Sequence, residues 1–253
     1  MKIAVVTGAS SGMGREFVRQ IGFFYRNLDE IWVFARRKER LERLRNECRV
    51  PLRVFDGDLL KKQVYRQYSS ELKEKNPDIR MLVNAAGFGK SGSFSVIASE
   101  GKKLQPEMID LNCRALTRMI QLSLPRMGRG SRIINLASAA AFCPQNGFAV
   151  YAATKAYVLS LSRALSSELR SRGIIVTAVC PGPVDTEFFR VSGELTDPLK
   201  KLTMAKAPAV VHKALKDSRK RREVSVYGIS MKAARIGAAL LPHRLILRIE
   251  ELL

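Results

Sequence analysis

Between residues 3 and 179 the chain alternates short apolar runs with stretches of helical spacing, and this alternation limits the fold more than any other feature. Ile3–Thr7, Glu30–Ala35, Leu52–Phe55, Met81–Asn84, Arg132–Leu136 and Ile174–Val179 read as strands, the first of them β-branched and closed by Gly8. Gly14–Phe24, Arg37–Cys48, Lys61–Lys75, Leu104–Met127 and Tyr151–Arg170 read as the helices between and after them. Strands buried on both faces need no polar side, and these runs are continuously apolar. Val224–Tyr227 supplies a last strand after a helix at Ala209–Lys216. The order predicts an α/β fold: one doubly wound domain, a parallel sheet of about seven strands with helices on both faces.

Composition narrows the class further. At 253 residues, 46% hydrophobic and 26% charged, the chain can bury a sizeable core, which excludes disorder over most of its length. Its apolar runs fall short of the ~20 residues of a membrane span. Ile3–Val6 runs directly into a glycine-rich motif, so no secretory leader is expected. The net charge of +21 favours anionic partners. No nucleic-acid motif accompanies it and the basic residues are spread along the chain, so no nucleic-acid partner is expected. Cys48, Cys113, Cys143 and Cys180 form no C-x-x-C pair, which points to scattered reduced thiols of a cytoplasmic protein; reactivity at Cys113 or Cys143 is the sharper alternative. His212 and His243 are isolated, and no metal site is expected.

Three motifs carry chemistry. Thr7-Gly8-Ala9-Ser10-Ser11-Gly12-Met13-Gly14 follows a strand and opens a helix, the context of a dinucleotide-binding loop of Rossmann type. Its glycines let the backbone approach a pyrophosphate, and the helix N-terminus offers unpaired N–H groups and a positive dipole end. NAD-binding folds place an acid about 20 residues beyond the glycines to hold the ribose hydroxyls. Here the second strand ends at Ala35 and Arg36-Arg37 follow, so the site should take a 2′-phosphate and prefer NADP(H). Lastly, Tyr151 and Lys155 share a helix face at i, i+4, and Ser138 ends the fifth strand at the carboxyl edge where ligands of such folds bind. An unperturbed tyrosine, pKa about 10, is a poor acid at neutral pH, and a neighbouring ammonium lowers that value.

In this order and spacing the motifs resemble the short-chain dehydrogenase/reductase family, of the NADP-preferring, Ser-Tyr-Lys type, over about residues 1–186. Asp58-Leu59 is similar to the family's adenine-contacting pair, and Asn84-Ala85-Ala86-Gly87 to its Asn-Asn-Ala-Gly signature, with Ala85 in place of the second Asn. Pro181-Gly182-Pro183-Val184-Asp185-Thr186 looks like the segment at the nicotinamide end, with Pro181, Gly182, Val184 and Thr186 as cofactor contacts. Asn112 falls where the family has a fourth catalytic residue. The resemblance implies hydride transfer at a carbonyl or alcohol carbon. Tyr151 would be the general acid/base. Lys155 would lower the Tyr151 pKa and bind the nicotinamide ribose. Ser138 would hold the substrate oxygen, and Asn112 a water linking Lys155 to solvent. It also implies a homodimer or homotetramer built through the long helices near 104–127 and 151–170.

Outside the motifs the chain is less specific. Phe88, Ala139–Phe142 and the loop-like insertion at 187–207 (Phe188, Phe189, Leu195, Leu199, Leu202, Met204) would surround the nicotinamide, with Phe142 and Phe188 joining Ser138 and Tyr151 on the substrate. Such walls suit a hydrophobic small-molecule carbonyl or alcohol. Lys90, Arg190, Lys200 and Lys201 leave room for an anionic one such as an acyl-thioester. A catalytic domain is expected over residues 1–229 and an amphipathic basic tail over 230–253. In the tail Met231, Ala234, Ala238 and Leu241, then Leu245, Ile249 and Leu252, keep helical spacing beside Lys232, Arg235, Arg244 and Arg248. That pattern fits a cap over the pocket or a subunit, or peripheral contact with an anionic membrane. An NADPH-sensing or membrane-surface-binding regulator is the alternative to an enzyme; the complete Ser138–Tyr151–Lys155 set favours the enzyme.

Overall fold

The computed structural model describes residues 1–192 and 204–252. Strand β1 (Lys2–Thr7) lies at the sheet centre, paired with β2 (Glu30–Ala35) on one side and β4 (Asp78–Asn84) on the other. With β3 (Leu52–Asp56), β5 (Arg132–Leu136), β6 (Ile175–Val179) and β9 (Val224–Ser225) the order is β3-β2-β1-β4-β5-β6-β9, every pairing parallel. The order reverses between β1 and β4, which opens a crevice at the carboxyl ends of the strands.

The period of two along each strand assigns its side chains to two cores. Ile3 and Val5 of β1, Trp32 and Phe34 of β2 and Phe55 of β3 face one layer. There they meet Tyr68 of α3 (Lys62–Lys75), Met119 of α6 (Leu116–Ser123) and Val158 of α7 (Ala149–Glu168). Ala4, Val6, Ile31 and Val33 face the other layer, against Phe17 and Ile21 of α1 (Gly12–Phe24), Leu41 and Leu44 of α2 (Lys38–Arg45) and Val211 and Leu215 of α9 (Ala207–Arg219). This is the doubly wound sheet that the apolar runs predict.

The differences lie where polar residues hide an element. β4 begins at Asp78, three residues before the apolar run, because Ile3 pairs with Ile79 and Ala4 with Met81, leaving Arg80 as a bulge. A short α4 (Phe94–Glu100) precedes α5 (Leu104–Ile109). The long helix expected over 104–127 runs unbroken from Leu104 to Arg126, but not as one α-helix. One π-helical turn, Asp110–Ala115, separates α5 from α6, and a tight turn, Leu124–Arg126, follows. The 187–207 insertion, expected as loop, carries α8 (Phe188–Ser192) and strand β8 (Ala205–Lys206), which pairs with β7 (Val184–Asp185). Leu195, Leu199, Lys200, Lys201 and Leu202 lie outside the described residues.

The tail forms α10 (Ile229–Leu240) and α11 (His243–Leu252), broken at Pro242. Met231 of α10 packs on Gly182, while Ile229, Ile236 and Leu240 form a second, exposed stripe that the Met231–Leu241 spacing does not reveal. A basic run, Lys213–Arg222, precedes the edge strand β9, and this tail follows it. Two of the run's cations, Lys213 and Arg222, bind the buried Asp217. Among the described residues no helix is long and apolar enough to cross a membrane.

Candidate active site

The glycine loop is shaped by contacts that admit no side chain. Gly8 and Gly12 have φ of 69° and 52°, the left-handed region that favours glycine. A Cβ on Gly14 would stand 2.2 Å from the Gly8 carbonyl oxygen, and one on Gly8 would stand 2.8 Å from the Ala85–Ala86 backbone. Thr7 secures the same junction, its Oγ1 accepting from the amides of Ala85 (3.1 Å) and Ala86 (3.2 Å). The end of β4 is therefore held by Thr7, and Ala85 in place of an asparagine leaves it in place. Asn84 points into the sheet, donating to Asn135 Oδ1 at 2.9 Å, and its own Oδ1 is buried without a partner.

Helix α1 starts at Gly12 with no side-chain cap from Ser11, so its first amides face the crevice. Arg37 lies across this loop, donating from Nη2 to Ser11 Oγ (2.9 Å) and Ser10 Oγ (3.3 Å). Arg36 is exposed. Arg40, one turn along α2, joins Arg37 on Glu187. Unsatisfied amides, two hydroxyls and two guanidinium groups fit the phosphates of a dinucleotide, including a 2′-phosphate. Asp58 Oδ1 accepts from Leu60 N at 2.9 Å, and Leu59 is buried in the core beneath.

At the other end of the crevice α7 brings Tyr151 and Lys155 side by side, both buried. The Lys155 ammonium donates to Leu136 O at 2.8 Å and lies 5.5 Å from the Tyr151 ring centroid. Burial pushes the Tyr151 hydroxyl up to about 12, and a hydrogen bond with the Ser138 side chain opposes it. Burial pulls Lys155 down to about 8. Ser138 caps the short turn Ala139–Ala141 at the end of β5, its Oγ accepting from Ala140 N.

Asn112 sits in the π-helical turn. Its Nδ2 donates to Phe88 O (2.9 Å) and Thr154 Oγ1 (3.0 Å), and its Oδ1 accepts from Phe88 N (3.0 Å). The side chain thus fixes the strand-β4 loop to α7, and a relay water would have the remaining Oδ1 lone pair. Gly87 fits beside it only without a Cβ, which would stand 2.7 Å from Asn112 Oδ1 and 3.5 Å from Lys155 Nζ.

Tyr151, Met108, Ala140 and Ala152 form a small core of their own, with Phe88, Phe148 and Phe188 packed on it. The rings of Phe148 and Phe188 lie 4.3 Å and 5.5 Å from that of Tyr151. Phe142, partly buried, packs on the main core. Lys90 is paired with Glu100 at 2.8 Å. Cys113 is buried and pushed up to about 11 by burial, so its thiol stays protonated at neutral pH. No disulfide joins the four cysteines. Among the described residues no group of three His, Cys, Asp or Glu is placed to hold a metal.

Several site residues lie outside the sequence motifs. Met108 reaches Tyr151 through the fold, whereas Phe148 stands three residues before it at the start of α7. Arg40 is readable as i+3 of Arg37. Glu187 is 150 residues from Arg37, and no local pattern joins them.

A crevice lined by this loop at one end and by Tyr151 and Lys155 at the other defines a nicotinamide-dinucleotide oxidoreductase. The chain belongs to the short-chain dehydrogenase family, whose model matches residues 2–195. Its members act on alcohol and carbonyl groups. It is 31% identical over 220 residues to a 3-oxoacyl-[acyl-carrier-protein] reductase of Staphylococcus aureus, covering 82% of this chain and 83% of the other. A short-chain dehydrogenase from Sphingobium yanoikuyae in complex with NADPH superposes with a TM-score of 0.77 at 30% identity, covering 96% and 97% of the two chains. A bulky-bulky ketone specific alcohol dehydrogenase from Comamonas testosteroni gives 0.74 at 28% identity, covering 94% and 92%.

Proposed function

We propose that the protein is an NADPH-dependent oxidoreductase transferring hydride to or from a carbonyl or alcohol carbon of a hydrophobic ketone, aldehyde or acyl-thioester. The observation that carries this is the burial of Tyr151 beside Lys155, with Ser138 on its hydroxyl, at the carboxyl edge of the sheet.

Bound NADPH supplies the hydride. The Tyr151 hydroxyl gives its proton to the substrate oxygen, and Ser138 Oγ–H donates to that oxygen as its charge develops. Lys155 faces the Tyr151 ring as an ammonium, stabilises the phenolate left behind and binds the nicotinamide ribose. Asn112 keeps Phe88 and Thr154 in register around it. Amides of the Gly8–Gly14 loop hold the pyrophosphate, and Arg37 with Arg40 holds the 2′-phosphate. The wall of Phe88, Met108, Phe148 and Phe188 excludes water and suits an apolar substrate. A 3-oxoacyl reductase and a bulky-ketone dehydrogenase among the relatives support that class. Lys90, spent on Glu100, adds nothing toward an anionic substrate.

The test is NADPH consumption against a panel of hydrophobic ketones, aldehydes, quinones and acyl-thioesters, with Tyr151→Phe as control. Turnover that vanishes in the variant supports the reading. NADPH binding without turnover on any of them favours the sensor alternative.

Exposed Ile109 of α5 and Tyr157 of α7 support assembly into a homodimer or homotetramer through those helices, measurable by analytical ultracentrifugation. The tail over 230–253 is a separate element on the catalytic unit of residues 1–229. Ile229, Ile236 and Leu240 are 85%, 61% and 77% exposed, and Lys232 and Arg235 lie on the same helix. That arrangement supports peripheral contact with an anionic membrane from a cytoplasmic location. Flotation with phosphatidylglycerol vesicles, but not with phosphatidylcholine ones, is the expected result. Removal of the tail's apolar stripe (Ile236→Ser with Leu240→Ser) should abolish it.

A further inference from the structure

The arginines assigned to the 2′-phosphate already hold an anion. Glu187 accepts from Arg40 Nη1 at 2.6 Å through Oε1 and from Arg37 Nη1 at 3.0 Å through Oε2, one carboxylate shared by two guanidinium groups. The rest of the Arg37 fork is aimed at the loop: Nη2 on Ser11 Oγ and Ser10 Oγ, Nε on Ser10 Oγ at 3.4 Å. The hydrogen bond from Arg40, then that from Arg37, holds the Glu187 carboxyl below its ordinary range, so it is anionic at neutral pH.

Chain geometry explains how Glu187 reaches them. Thr186 lies over Gly12, where a glycine Cβ would be 3.4 Å from the Thr186 Cβ. The next residue, Glu187, meets the start of α2 through Arg37 and Arg40. The residue after it, Phe188, rests on Tyr151.

We propose that Glu187 is a built-in counter-anion for Arg37 and Arg40, and that it sets the strength of the NADPH preference. Resting on the reading of these arginines as the 2′-phosphate site, the inference adds a competitor within this chain. A 2′-phosphate carries up to two negative charges and needs the same N–H groups. It cannot share them with a carboxylate without like-charge repulsion, so Glu187 must withdraw. NADH lacks that phosphate and leaves the Glu187–arginine pairs intact. Glu187 therefore taxes NADPH and spares NADH.

The experiment measures Kd for adenosine 2′,5′-bisphosphate and for 5′-AMP by calorimetry. It compares the unaltered protein, Glu187→Gln and, as a net-charge control at a remote exposed acid, Glu168→Gln. The inference predicts that Glu187→Gln tightens the bisphosphate on the order of three- to tenfold, the scale of two partly exposed ion pairs. It predicts 5′-AMP unchanged and Glu168→Gln without comparable effect. An unchanged or weaker bisphosphate affinity in Glu187→Gln, with a normal thermal melt, overturns it. Equal tightening in both variants also overturns it, because only net charge would then matter. Failure of the underlying reading looks different: no protein, unaltered or variant, would prefer the bisphosphate to 5′-AMP.

Discussion

The two ends of the crevice are built on opposite principles. At the Tyr151 end the reactive groups are 7% and 6% exposed, walled by aromatic rings and held by backbone acceptors. At the Arg37 end the charged side chains of Arg37, Arg40 and Glu187 are 43%, 39% and 37% exposed and hold one another across 150 residues of chain. Burial makes the first end rigid and shifts its pKa values. Water and salt screen the second, which makes it adjustable. Under the proposed function, the fixed proton donor sits at the first end, and selection between two cofactors differing by one phosphate at the second.

The contrast can be broken in order of effect. Tyr151→Phe removes the proton donor and should lower kcat on the order of 10²–10⁴-fold with little change in NADPH affinity, read by steady-state kinetics and cofactor titration. Gly14→Ala places a Cβ where the Gly8 carbonyl stands. It should cost on the order of 1–3 kcal/mol or more of stability, seen as a lower Tm, together with loss of cofactor binding. Replacing Arg37 and Arg40 by alanine should weaken NADPH on the order of ten- to a hundredfold and leave NADH nearly unchanged, read as the ratio of Kd values.

The smallest effect is the pH profile. Lys155, pulled down to about 8, loses its proton as pH rises through that value, whereas Tyr151, pushed up to about 12, keeps its own. Carbonyl reduction should therefore be level below pH 8 and fall above it, approaching tenfold per pH unit. A rate that rises through pH 8 would contradict the assignment of Lys155.

The same contrast explains what the sequence discloses. The buried end and the sheet beneath it are legible because continuous apolar runs, required glycines and an i, i+4 pair are local signals. Tyr151, Lys155, Gly12 and Gly14 stand where those signals imply. Arg80 and Asp78 hid the start of β4, because a bulge needs no apolar residue. The π-helical turn around Asn112 left no trace in a sequence with ordinary helical spacing. Glu187 was invisible for a deeper reason. Ion pairs between exposed side chains depend on tertiary approach, and a lone acid after Thr186 carries no mark of the arginines it meets.

The most direct measurement compares Tyr151→Phe with the Arg37→Ala/Arg40→Ala double variant on one hydrophobic ketone, determining kcat and Kd with NADPH and with NADH. The account predicts a clean separation. Tyr151→Phe loses turnover with both cofactors and keeps its affinities, while the arginine variant loses NADPH affinity and keeps kcat with NADH. Turnover retained in Tyr151→Phe, or NADH turnover lost in the arginine variant, would contradict it.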